Sequence, residues 1–70
     1  MRDSKHAVVY EGDIIRSTVQ DDVRFRVVCI DDETRSVIGL RVNKDGDIYA
    51  RAIDHIIHDD DLETWWEVEL

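Results

Sequence analysis

At 70 residues and a net charge of -8, the chain has room for one small core and sets 17 Asp and Glu against 9 Lys and Arg. Its single cysteine, Cys29, excludes an intrachain disulfide, and its apolar runs stop at four residues, against the ~20 that a membrane-spanning helix needs. With no Pro and only 3 Gly there is no linker composition, so residues 1–70 read as one domain.

Residues 1–6 carry Arg2, Asp3, Lys5 and His6 with no apolar run behind them, which predicts a disordered lead-in and not a signal peptide. A first strand is expected from Ala7 to Tyr10, broken at Glu11-Gly12-Asp13 and resumed from Ile14 to Val19. The Gly12-Asp13-Ile14-Ile15 run is similar to the opening of several small-barrel binding modules, a resemblance of four residues that carries no function with it. After a turn at Gln20-Asp21-Asp22, the stretch Val23 to Ile30 alternates most clearly. Val23, Phe25, Val27 and Cys29 fall on one face, and Arg24, Arg26, Val28 and Ile30 on the other. This phase buries the Cys29 thiol, a structural role and not a nucleophile's.

Asp31 to Thr34 make the next connection, and Arg35 to Asn43 continue as a strand. Asp45-Gly46 between two strand-like runs is a strong hairpin signal, because Gly supplies the positive φ a tight turn requires. The returning strand is expected over Ile48 to Ile53. Residues 53–58 fit a short helical turn on the spacing of Ile53, Ile56 and Ile57, or else a continued strand. Asp59-Asp60-Asp61 then reads as a break, and Glu63 to Leu70 as a last strand with Trp66, Val68 and Leu70 on one face. The fold expected is mainly β: a small antiparallel five-stranded sheet curled into a partly open barrel, which hides strand edges best in a chain of this size.

The charge is made in an unusual way, from 12 Asp and 5 Glu against 7 Arg and only 2 Lys. This skew is similar to that of extreme halophiles. Like charges oppose compaction in dilute salt, whereas at 1 M salt the Debye length falls to about 3 Å and the repulsion is screened. Lys carries a long apolar stem along the surface, a liability where salt strengthens apolar association.

His55, His58, Asp59 and Asp61 form the one cluster with metal-ligand chemistry, workable on a helical turn but not on a strand, where the two His point apart. Paired Asp residues fall in predicted turns, where the side chain bonds its own backbone, and no catalytic or phosphate-binding motif is present. No catalytic residue, cofactor or small-molecule substrate is therefore assigned. The net negative charge disfavours direct nucleic-acid binding, unless Arg24 and Arg26 gather with Arg41 or Arg51.

Trp65-Trp66 cannot both enter one core from a strand, and Trp65, Trp66, Tyr49 and Arg51 are the expected contacts of a protein interface. The sequence thus predicts a non-enzymatic, cytoplasmic, halophilic interaction module that forms homo-oligomers. A DNA-mimic inhibitor of a nucleic-acid-binding protein is the alternative, and a small metal-binding protein is the second. Salt separates the first two, because mimicry weakens with salt and a salt-adapted fold strengthens.

Overall fold

A computed structural model describes residues 1–69. Five strands, β1 (Ile14–Ser17), β2 (Arg24–Asp31), β3 (Ser36–Val42), β4 (His55–His58) and β5 (Trp66–Val68), form one antiparallel sheet. One helix, α1 (Asp59–Trp65), joins the last two. The spatial order is β4-β3-β2-β1-β5, so β4 and β5 are the two edges and the sheet does not close on itself. It is curled nonetheless. The Phe25 ring, on the central strand β2, meets His55 of one edge strand at 4.6 Å and Trp66 of the other at 5.3 Å. This is the partly open barrel that the pattern of short strands predicts. No described helix is long and apolar enough to cross a membrane.

The core follows from alternation along the strands. Ile15, Phe25, Val27, Val37 and Ile57 point inward from four strands, each worth roughly 1.5–3 kcal/mol when buried. Leu62 of α1 joins the same cluster with no exposure, so the helix acts as a plug. Gly39 leaves room for the Phe25 side chain, because a Cβ there would stand 2.9 Å from that of Phe25.

The β2 register shifts between Val27 and Cys29, leaving Val28 as the extra residue of a bulge against β3. One extra residue reverses every side chain beyond it. Cys29 is consequently exposed, not buried, and Ile30 packs against the core in its place. A thiol-specific reagent should therefore label Cys29 in the folded protein at a rate within about tenfold of that in denaturant, whereas burial of the thiol would slow native labelling by orders of magnitude.

The Asp45-Gly46 turn forms as expected, with Gly46 at φ 86 and the Asn43 side chain accepting from the amides of Asp45 and Asp47. The returning strand does not run from Ile48 to Ile53. Only Ile48, bridged to Val42, and the Tyr49 amide, bonded to the Arg41 carbonyl, pair with β3 before a turn at Tyr49–Ala52 leads the chain away. The first half of β3 pairs instead with residues 55–58, which are strand and not a helical turn. An extended backbone sends Ile57 in against Val37, while Ile53 and Ile56 stay 69% and 63% exposed; a helical turn would have put all three on one side.

Asp59-Asp60-Asp61 begins a helix and does not break the chain. Three carboxylates in a first helical turn face the positive end of the helix dipole, and Leu62 anchors the segment in the core. The last strand is accordingly shorter than the expected Glu63 to Leu70; Leu70 itself lies outside the described residues.

Residues 1–6, expected to be disordered, fold back on the sheet. Arg2 bridges Val8, the Val9 amide bonds the Met1 carbonyl, and Asp3 is 2% exposed. The Asp3 carboxylate explains this order. Its Oδ1 accepts from the amides of Lys5 and Ala7, and its Oδ2 from the amide of Val68 in β5. The charge is thus buried with three backbone donors around it, which is how a buried carboxylate avoids its desolvation penalty.

Candidate interaction surface

The sheet's two edges differ. Along β5, the backbone groups of residues 65, 67 and 69 face β1, since the Trp65 carbonyl accepts from Thr18 and the Glu69 amide donates to Ile14. Those of Trp66 and Val68 face outward, and the N-terminal segment takes one from each: the Ser4 amide donates to the Trp66 carbonyl and the Val68 amide to Asp3. Along β4, the Asp59 amide bonds the Arg35 carbonyl, so by alternation residues 55, 57 and 59 face β3. The amide and carbonyl of Ile56 and the amide of His58 face away from the sheet with no backbone partner among the described residues, while the carbonyl of His58, the N-cap of α1, accepts within the first helical turn.

Beside that open edge lies a groove of about 420 Å³, where Val19 and Gln20, Ile56, and Trp65 of α1 line the gap between the ends of the sheet. Trp65 is half exposed, and Val19 and Ile56 are more so. The helix end is what separates the two tryptophans. Trp65 is the last residue of α1 and keeps its ring on the surface, while Trp66 is the first of β5 and leans on Phe25. Of the residues expected at an interface, Trp65 is therefore exposed and Trp66 half-buried.

Tyr49 and Arg51 lie elsewhere, on the loop before β4, beside a second, shallower hollow of about 350 Å³. The Arg41 guanidinium sits 5.9 Å from the centre of the Tyr49 ring. Ile53, which lines this hollow, and Ile56, which lines the first, are both on the stretch of chain that carries the open edge. The significance of Ile53 and Ile56 escapes a reading of sequence alone, because only the strand conformation of residues 55–58 turns Ile56 outward.

Ion pairs gather around Glu67, Arg24 and Arg35. Glu67 is nearly buried between Lys5, at 3.0 Å, and Arg16, its cross-strand neighbour. Hydrogen bonding to Arg16 first, and to Lys5 next, holds the Glu67 carboxyl below the usual Glu range. Arg24 bonds Glu69 at 2.6 Å and lies 3.6 Å from Asp22, and Arg35 bonds Asp59 at 2.6 Å, which lowers the Asp59 carboxyl. Arg26 donates to the Gly46 carbonyl and Arg41 to that of Asp22. Arg24 and Arg41 thus both reach Asp22, one at its carboxylate and the other at its carbonyl, while Arg26 reaches Gly46.

The metal-ligand candidates do not converge. His55 and His58, three apart on a strand, project from opposite faces, with His55 against Phe25 and Asp59 committed to Arg35. No group of three His, Cys, Asp or Glu side chains is placed to hold a metal ion among the described residues.

No protein-family model, curated protein or solved structure matches the chain. Its chemistry therefore has to be read from this surface.

Proposed function

We propose that this chain is a small acidic protein-interaction module without catalytic activity, suited to a cytoplasm of high ionic strength, that works by self-association through the surface around Trp65. The observation that carries the reading is the exposed apolar set of Val19, Ile56 and Trp65 beside an edge strand on which both backbone groups of Ile56 are unpaired among the described residues. A chain with so much charge gains nothing in solubility by displaying Trp and Ile together. Exposed aromatic and branched side chains grouped around a groove are characteristic of surfaces that bury themselves against a partner.

The electrostatics supports the same reading. Two copies at net charge -8 repel in dilute solution, and salt removes that repulsion while strengthening apolar contact. Association is accordingly a high-salt property of this molecule.

Trp65→Ala tests the reading. Sedimentation at molar KCl should show the wild type associated and the variant weakened at least tenfold, or about 1.4 kcal/mol, with an unchanged far-ultraviolet circular dichroism spectrum. The ring is half exposed and lies outside the buried core cluster, so its loss leaves the monomer folded. A Trp65→Ala variant that associates as well as the wild type would remove Trp65 from the interface.

A further inference from the structure

We infer that the partner is a second copy joined edge to edge, β4 to β4, antiparallel about a two-fold axis through Ile56. This rests on the self-association reading above and specifies its geometry.

A two-fold axis perpendicular to a sheet pairs residues that point to the same face, so strand positions must match in parity. Ile56 is the β4 residue whose amide and carbonyl both face outward unused, since the His58 carbonyl is taken by the first turn of α1, and this centres the pairing on Ile56 opposite Ile56 of the partner subunit. Each Ile56 then donates its amide to the other's carbonyl, as in any hydrogen-bonded antiparallel pair. Asp54 falls opposite His58 of the partner subunit, and the same contact recurs at the other end. All three positions are exposed. An apolar centre with an acid and an imidazole crossing at each end is complementary to itself, whereas a strand from an unrelated protein matches only by chance. The same juxtaposition brings the partner to the Ile56 side of the Trp65 groove.

The contrast between the edges gives a second reason. The β5 edge is covered by the chain's own first residues, through Asp3 and Ser4, while β4 has Ile56 outward and no proline, bulge or lysine to block it. Proteins that remain monomeric blunt such edges.

Two substitutions test the geometry in the Cys29→Ser background. Ile56→Cys places two thiols across a hydrogen-bonded pair, where Cα atoms are about 5.5 Å apart and within disulfide reach. With diamide at molar KCl it should form a covalent dimer at least tenfold faster than Ile53→Cys, whose two copies stand about 20 Å apart in this register. Ile56→Pro removes an amide that β3 does not use, so circular dichroism should show the native fold and sedimentation a monomer. If the wild type associates at molar KCl yet Ile56→Cys links no faster than Ile53→Cys, the edge pairing is wrong and association through Trp65 stands. If the wild type is monomeric there at every concentration tested, both fall.

Discussion

Asp3→Ala is expected to leave the protein largely unfolded in dilute buffer at room temperature, the largest effect of any single substitution considered. The side chain accepts from three backbone amides, two within the first turn and one on β5, and all three lose their acceptor at once. Hydrogen bonds to a charged group contribute about 1.5–3 kcal/mol each, and buried amides left unpaired add their own desolvation cost. A core of this size supplies only about 3–5 kcal/mol of net stability, so the loss is of the same order as the whole. Asp3→Asn separates the parts of the effect. Its one carbonyl oxygen can still serve the Lys5 and Ala7 amides, but the amide nitrogen beside Val68 cannot accept, which cuts the tie to β5. The expected order of stability is wild type, then Asn, then Ala, measured by urea unfolding at molar KCl, where the wild type is most stable. Equal midpoints for all three would mean that the N-terminal segment does not hold the sheet.

Why that role is invisible in the sequence is instructive. Asp3 is one of 12 aspartates, and nothing within six residues distinguishes it from those in exposed turns; its partner Val68 is 65 residues away. What local pattern does determine is read easily. Phe25 and Val27 point inward, Asp45-Gly46 turns, and the whole is an antiparallel sheet with its ends left apart.

The failures cluster where two local patterns compete. Val27-Val28-Cys29-Ile30 is apolar on both faces, so period two sets no phase, and the bulge at Val28 is decided by pairing with β3. Residues 48–53 and 55–58 both read as partners for β3, and the register that buries Ile57 on Val37 prevails for its first half. Asp59-Asp60-Asp61 resembles a break because a helix of seven residues is too short to show its period; Leu62 and the helix dipole explain it only after the fold is known. That Trp65 and Trp66 cannot both enter the core is legible, but which ring faces outward depends on that helix end.

The second large effect is the dependence of stability on salt, and its size follows from the dimensions of the molecule. A Cα radius of gyration of 10.8 Å corresponds to a sphere of about 14 Å, against about 33 Å for an unfolded chain of this length. Spreading a net charge of -8 over those spheres costs the folded state roughly 5 kcal/mol more than the unfolded at 0.01 M salt, and roughly 1 kcal/mol more at 1 M. Salt also screens the ion pairs, yet exposed pairs contribute only about 0–1 kcal/mol each, and the Glu67 pairs are partly shielded from solvent. Net repulsion therefore dominates. Its relief, the difference between about 4.5 and about 1.3 kcal/mol before rounding, is about 3 kcal/mol and comparable to the total stability of a core this small.

Thermal unfolding followed by circular dichroism across a KCl series is the most direct test, run at protein concentrations low enough to keep the chain monomeric. A rise in Tm of roughly 12–24 °C between 0.01 M and 1 M KCl is expected, taking about 4–8 °C per kcal/mol for a domain of this size. A Tm that is flat or falling over the same range would contradict it.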